Sequence, residues 1–458
     1  MRRFLFIALI SLARAASPDG MTPLLEAAHK DDTALAKRLL DSGAAPSAEN
    51  RYGITPLYLA CLNGNGDLVT ALLEAGADPN ATIVGKETVL MTASRTGKIG
   101  AVEALLKAGA KVDARDKSDQ SAIMWAAAEG NLEVVNTLLA AGADPFRQLK
   151  NSGYSAFFFA IREGKTELVR LLLEKGADLS EVMHHEKGRG DLARPKTSPL
   201  MLAVENGHYD LATELLEAGA DPNDTRTGFS VLHSLTWIRK PDIGESSDGD
   251  PAPEGSGRRN SLQFVRELVK HGADVNLQLK KGRKGGNGRV SQIGATPLFL
   301  AADRADLPYI KLLVELGSDP LQTNRDGTTP LMVAAGIGSF APEEEAGNEV
   351  ECLATVKYLV SKGASVNTVD TKGETAMHGA AYKNLPTMVH YLDAQKSDIK
   401  IWNTKNKDGR TPLLIAEGYR PGNFKPSFET IDAFENVMKS KGVAIPDGPK
   451  PKKTNYGE

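Results

Sequence analysis

The residues of this chain that could do chemistry are few, and they do not converge. There is no His-Glu-x-x-His, no Gly-x-Ser-x-Gly and no Cys-x-x-Cys, so the common metal-hydrolase, serine-hydrolase and dithiol signatures are missing. The stretch from Gly282 to Arg289 is glycine-rich and basic, as a phosphate-binding loop would be. It lacks the Gly-Lys-Ser/Thr ending, and no helix starts directly after it, so it reads as a flexible basic loop. His184, His185 and Glu186 are adjacent potential metal ligands without a ligand spacing. Asp248 and Asp250 sit in a Pro/Gly/Ser-rich stretch, where their spacing is weak support for calcium. Arg189-Gly190-Asp191 matches an integrin-binding tripeptide, and coincidence accounts for it in a single sequence. With no convergent nucleophile, base and metal set, the expectation is a chain that is not an enzyme and carries no cofactor.

Residues suited to binding are better represented. Lys280, Lys281, Arg283, Lys284 and Arg289 fall within residues 277–294, which contain no acid. Such a cluster would steer an acidic partner and make binding salt-dependent. Tyr52, Tyr154 and Phe229 lie beside Gly53, Gly153 and Gly228 at expected loop tips. Trp237, Arg239, Tyr382 and Lys383 occupy helix positions expected to face outwards. Trp, Tyr and Arg dominate interface hot spots, so these residues are the candidate partner contacts. Trp237 has a second reading, as the apolar anchor beneath a long insertion of its own repeat.

These residues must be positioned by a unit that recurs about every 33 residues. It reads Thr-Pro-Leu-x-x-Ala, then a Gly, then Leu-Leu, then Gly-Ala-Asp, with anchors at Thr22, Thr55 and Thr88 (55 − 22 = 88 − 55 = 33). The anchors continue at Ser121, Ser155, Ser198, Ser230, Thr296, Thr329, Thr375 and Thr411, making eleven. A period of this size predicts a stacked array and overrides the roughly three domains that length alone suggests. Thr-Pro supplies a helix cap followed by proline in the first turn. Ala pairs such as Ala126-Ala127 let first helices pack closely, and a Gly such as Gly64, Gly97 or Gly130 ends each one. The second helix carries an apolar face at i, i+3, i+4 spacing, as in Val134, Leu138 and Leu139. His233 and His378 fall at one fixed place in the unit and read as structural.

Thr55-Pro56-Leu57, Gly76-Ala77-Asp78-Pro79-Asn80 and Thr329-Pro330-Leu331 closely resemble the ankyrin repeat, over roughly residues 20 to 442. The resemblance implies an all-α fold, an ankyrin-repeat solenoid of about eleven helix-turn-helix repeats with β-hairpin-like fingers. It also implies protein binding through finger tips and the concave face of the first helices. Repeat 10 departs from the pattern at Leu392-Asp393-Ala394-Gln395, which puts its second helix and following turn in question.

The period lapses three times: Ser155 to Ser198 is 43 residues, Ser230 to Thr296 is 66, and Thr329 to Thr375 is 46. The internal Gly positions divide the excess among four insertions. Two lie in fingers, near 179–197 and 277–294, and two between the helices of a repeat, near 239–259 and 337–349. The finger insertion 179–197 has four basic and three acidic residues. The helix-to-helix insertions are acidic: Asp242, Glu245, Asp248, Asp250 and Glu254 in one, Glu343, Glu344, Glu345 and Glu349 in the other. In the ankyrin fold, fingers and helix-to-helix loops lie at opposite ends. The expectation is therefore a solenoid positive at the fingers and negative at the far edge; the alternative is that the charges merely solvate loops.

Residues 1–15 read as a signal peptide: Arg2 and Arg3, an apolar run from Phe4 to Leu12, then Ala13-Arg14-Ala15 as the cleavage site. The run is too short to span a bilayer. Residues 16–442 form the expected array, and 443–458 a disordered Pro/Lys-rich tail. A signal peptide together with these insertions is similar to secreted bacterial ankyrin-repeat proteins. Cys61 and Cys352, seven repeats apart, read as small buried hydrophobes. The net charge of −3 argues against nucleic acid or membrane as a partner for the whole surface. The chain is thus expected to be a monomeric, exported scaffold, periplasmic or secreted, with no transmembrane segment once mature, that binds a protein partner, an acidic one if the basic loop steers it. The rival readings are a binder of anions such as an acidic envelope polysaccharide, and an effector delivered to a host cell.

Overall fold

The computed structural model describes residues 20–184, 195–244, 252–282, 289–422 and 425–446. Several expectations therefore fall outside the described residues: the signal peptide 1–15, nearly all of the tail, the Arg189-Gly190-Asp191 tripeptide, His185, Glu186, Glu245, Asp248, Asp250, Arg283 and Lys284. The described residues form 23 helices and no strand, with isolated bridge pairing between Thr82 and Thr88 and at Arg289. None of these helices is long and apolar enough to cross a membrane. The chain divides into two compact units, residues 1–206 and 207–458.

The first unit holds five helix pairs and one further helix. They are α1 (Pro23–His29) with α2 (Thr33–Asp41), α3 (Pro56–Asn63) with α4 (Gly66–Glu74), and α5 (Val89–Thr96) with α6 (Ile99–Lys107). Then follow α7 (Ala122–Glu129) with α8 (Leu132–Ala140), α9 (Ala156–Arg162) with α10 (Thr166–Glu174), and α11 (Pro199–Glu205). First helices stack on first helices, from α1 on α3 through to α9 on α11, while α2, α4, α6 and α8 form a second row. The caps follow the motif. The Thr22 and Thr55 hydroxyls accept from the backbone N–H of Leu25 and Tyr58 at 3.2 and 3.1 Å. The close spacing of the first row depends on small residues: Ala27, Ala28, Ala60, Ala93, Ala126, Ala127 and Ala160 are all fully buried. Gly64, at φ 68°, ends α3 in the left-handed region, where an added Cβ would also collide with Lys98.

The second unit contains α12 (Tyr209–Glu217), α13 (Val231–Arg239), α14 (Ser261–Lys270), α15 (Pro297–Asp303), α16 (Leu307–Glu315) and α17 (Pro330–Ala334). It continues with α18 (Glu349–Ser361), α19 (Ala376–Tyr382), α20 (Pro386–Ala394), α21 (Ile399–Trp402), α22 (Pro412–Ala416) and α23 (Phe428–Ser440). Here the first-helix row is α13, α15, α17, α19 and α22. The second helix of repeat 10 and the turn after it are regular, and its finger carries the extra short helix α21. Its second helix α20 runs nine residues, and Lys396 takes the left-handed turn (φ 63°) that Gly occupies in other repeats. Ser397 then donates to Leu392 O at 3.1 Å, as Ala77 does to Leu72 O.

The fingers are hydrogen-bonded turns stamped by an Asn or Asp. Asn50, Asp116, Asn324, Asp370 and Asn406 each accept two backbone N–H groups of their own tip through one side-chain oxygen. Successive tips are joined: Lys117 N–H donates to Gly85 O in the first unit, and Thr371 to Asp326 O and Lys407 to Lys372 O in the second, each at 2.8 Å. Cys61 and Cys352 are both buried thiols, and burial pushes both thiols' pKa up.

Candidate functional site

In the first unit, the side of the first-helix row left open to solvent carries a ladder of arginines and aromatics. The Arg95 guanidinium lies 5.3 Å from the centre of the Trp125 ring, and Arg162 lies 5.1 Å from both Tyr154 and Phe159. Tyr154 stacks on Phe159 at 4.9 Å. Arg95 is also held by Glu87 at 3.7 Å. Tyr58, Arg95, Trp125 and Arg162 are partly exposed, and Leu62 is exposed. This ladder was missed in the sequence, although a signal was there. Trp125 stands four residues after Ser121, and Arg95 and Arg162 seven after Thr88 and Ser155, the same register as Trp237 after Ser230.

The finger-tip aromatics separate. Tyr52 is 57% exposed, with Arg51 stacked over its ring. Tyr154 is buried rather than outward-facing, because Phe159 and Arg162 cover it. Phe229 meets Trp237 edge to face at 5.0 Å, so this partly exposed pair packs on itself.

In the second unit, the corresponding row is covered by its own insertions. Arg239 grips Asp306 with two hydrogen bonds, of 2.8 and 3.1 Å, and also donates to the Ser261 hydroxyl. Arg304 donates to Lys240 O at 2.6 Å and to Asp242 at 3.1 Å. Asp242 also accepts from Ala346 N–H at 3.2 Å, and Gly244 N–H donates to Glu344 O at 2.9 Å. Lys240 bridges to Glu351 at 2.8 Å. The helix-to-helix insertions of repeats 7 and 9 are thus clasped together across repeat 8.

The clasp corrects three expectations. Arg239 is a structural ion-pair residue, because its guanidinium is fully engaged with Asp306 and Ser261. Tyr382 is 1% exposed, its hydroxyl donating to Glu374 at 3.0 Å, and Lys383 is 6% exposed, its ammonium donating to Ala346 O; neither faces outwards. The finger insertion and the acidic insertion do not lie at opposite ends either. Arg289 sits 4.6 Å over the Phe340 ring, and Lys372 donates to Arg289 O at 3.2 Å. Lys280 and Lys281 are exposed and form no ion pair with any described residue. His184 lies among no group of three or more potential metal ligands in the described residues.

Where these insertions meet they line a partly open cavity of about 120 Å³. Trp237 and Leu300 give it an apolar side, while Arg289, Arg304, Asp242, Asp303 and Glu345 bring charge to its wall. Glu345 accepts from the Ser339 hydroxyl at 2.6 Å and from the Phe340 and Ala341 N–H groups at 2.8 and 3.2 Å.

Beside this region, Glu374 is buried with only neutral donors on its carboxylate, the Tyr382 hydroxyl and the Asn406 amide. Burial, reinforced by Asp370, pushes its pKa up to about 7. Burial lowers His233 and His378 to about 4, so both are neutral structural residues near pH 7. His233 bonds the Ser230 hydroxyl at 2.7 Å and approaches Ala295 O at 3.3 Å, locking one finger to its helix.

Comparisons with known proteins agree with this architecture. A family model described as ankyrin repeats (3 copies) matches residues 4–83, 84–148, 143–226 and 256–341. Further ankyrin-repeat models match 351–392 and 326–371. Among curated proteins, the chain is 34% identical over 158 residues to the nuclear factor NF-kappa-B p105 subunit of Gallus gallus, covering 31% of this chain and 15% of that protein. It is 26% identical over 210 residues to phosphocholine transferase AnkX of Legionella pneumophila, covering 42% of this chain and 21% of that protein. The chain therefore spans only a minor part of the relatives it matches. Among solved structures, the human ASB11 ankyrin repeat domain aligns with a TM-score of 0.42 at 22% identity, over 56% of this chain and 99% of that one. With matched models from residue 4 to residue 392 and the helix pairs, caps and finger turns described above, the chain belongs to the ankyrin-repeat family.

Proposed function

We propose that this protein is a non-catalytic, exported scaffold that binds an acidic protein partner through the first-helix row and fingers of its first unit. The ankyrin-repeat fold is a protein-binding scaffold, which leaves the choice of surface to this chain's own residues. One observation carries that choice. The row in the first unit is open and presents the partly exposed Arg95, Trp125 and Arg162, the last backed by the buried Tyr154 and Phe159, whereas the row in the second unit is occupied by its own insertions. Stacked arginine and tryptophan present a large, pre-ordered contact area, the composition of interface hot spots. Arg95 and Arg162, both partly exposed in this row, supply the positive charge that suits an acidic partner.

The test is a pull-down from the native envelope fraction with the intact protein, a Trp125→Ala/Arg162→Ala variant and a variant lacking residues 277–294. Loss of one specific protein with the double variant at unchanged melting temperature supports the reading. Equal recovery by all three would sink it. Export is checked by fractionating cells and sequencing the N-terminus of the mature chain; a start near Ala16 is expected, and an intact Met1 in the cytosol would refute it.

A further inference from the structure

The insertion of repeat 7 is fastened a second time, at the start of α12. The backbone of Gly255 lies against that of Gly207, where a Cβ on Gly255 would collide with Gly207 O. Arg258 N–H donates to Asp210 at 2.6 Å. Arg259 donates to Asp210 at 3.3 Å and to Glu267 at 2.9 Å. Between these contacts along the chain, Ser256 meets His208, a side chain only 7% exposed. The His208 Nδ1 accepts the Ser256 backbone N–H at 2.9 Å and lies 2.9 Å from the Ser256 hydroxyl.

A ring nitrogen that accepts a backbone N–H must keep its lone pair. In imidazolium both ring nitrogens are donors, so a second proton on His208 turns Nδ1 from acceptor to donor. The Ser256 hydroxyl can rotate and accept from it. The Ser256 N–H cannot, and is left facing another donor in a buried place, where an unmade hydrogen bond costs most. Imidazole is the side chain whose charge ordinarily changes between about pH 5 and 8. The charged groups around the joint do not replace the lost contact. Asp210 on α12 is held below the usual carboxylate range by the Arg258 N–H. Glu267 on α14 is taken by Arg259 and Lys270, and Arg266 by Glu315. Glu254, Arg258 and Arg259 belong to the segment itself, and Glu205 precedes His208 by three residues.

We propose that residues 253–259 are a strap that neutral His208 holds on the start of α12 and that mild acid releases. Both ends confine the movement. The clasp at residues 240–244 is built on Arg304, Lys240 and Asp242, without an imidazole, and Asn260 caps α14 by accepting from Gln263 N–H at 2.9 Å. Release parts Asp210 from Arg258 and Arg259, which changes the charge presented beside α12.

The experiment is amide exchange of the full chain at about pH 7.5 and 5.5, either side of the ordinary imidazole range, corrected for the intrinsic rate, with His208→Gln and His208→Ala alongside. In the parent, exchange of residues 254–259 should accelerate about tenfold at the lower pH, beyond any change in α12, α13 and α14. Glutamine accepts the same N–H through its amide oxygen and does not titrate, so His208→Gln should hold the strap at both pH values. His208→Ala offers no acceptor and should exchange fast at both. Acid loss arising from His233 and His378 spreads over the helices of the unit, so it does not mimic a change confined to the strap. Equal protection of residues 254–259 at the two pH values in the parent, acceleration shared equally by α12, α13 and α14, the same acid response in His208→Gln, or full protection in His208→Ala at the higher pH would each overturn the assignment.

Discussion

Arg239 and Asp306 are joined by a two-pronged ion pair, 2.8 and 3.1 Å long, between the end of α13 and the start of α16. Asp306 simultaneously caps α16 by accepting from Tyr309 N–H at 3.3 Å, and Arg239 lies 5.4 Å from the centre of the Tyr309 ring. One side chain therefore fixes the start of the long insertion to the next repeat.

Arg239→Ala should destabilise the second unit by about 3 kcal/mol, since it leaves a nearly buried carboxylate without its cation. Lys at this position keeps the charge but loses the fork and should recover less than half. Urea unfolding of the three proteins checks this. A loss below about 0.5 kcal/mol for the Ala variant would show that the pair is solvent-screened.

The clasp between the two helix-to-helix insertions should behave as one opening unit. Arg304→Ala removes the hydrogen bonds to Lys240 O and Asp242 together. Amide exchange should accelerate in residues 240–244 and 344–346 by about tenfold, with little change in α12 or α20. Acceleration confined to residues 240–244 would show that the two insertions open independently.

The fold was legible in the sequence because each repeat is a local solution: a hydroxyl cap, a proline, small residues and a terminating glycine all act within a few positions of one another. The clasp was not. Asp242 and the Ala346 amide are 104 residues apart, and nothing in a charge count reveals that one accepts from the other. The acidic run at 343–345 reads as a solvated negative edge, yet Glu345 accepts two N–H groups and a hydroxyl of its own loop. Trp237 and Tyr382 stand in the sequence at first-helix positions that several other repeats give to polar residues. Glu374 and its neighbours turn Tyr382 into core, while Trp237 stays partly exposed and packs edge to face on Phe229.

Lys396→Gly should stabilise the second unit. Lys396 holds φ 63° at the turn after α20, where an L side chain costs about 1 kcal/mol relative to glycine. Greater backbone freedom of glycine in the unfolded chain offsets part of this, so a net gain of about 0.5 kcal/mol is expected. Thermal melts in matched buffer decide it; a lowered melting temperature would mean that the lysine side chain makes a compensating contact.

Glu374 should give the second unit a stability that falls as pH rises. Its pKa goes from 4.5 to about 7, with burial as the leading cause and Asp370 second, while Lys372 and the Tyr382 and Asn406 donors pull the other way. The folded state therefore holds this proton more tightly than the unfolded chain does. The stabilisation is complete below pH 4.5 and disappears as pH climbs through 7, at up to about 1.4 kcal/mol per pH unit. His233 and His378 act in the opposite sense. Their folded values of about 4, against 6.5 for the free group, make stability fall as pH drops from 6.5 towards 4. The two effects are separable by Glu374→Gln, which mimics the protonated acid and keeps an oxygen for Tyr382 and Asn406. Above pH 7 the variant should exceed the parent by about 3 kcal/mol, and at pH 4.5 the two should match. The acid-side loss caused by the histidines should be the same in both proteins. Urea titrations at pH 4.5, 6 and 8 measure each arm, and an equal offset at all three pH values would show that Glu374 does not titrate in this range.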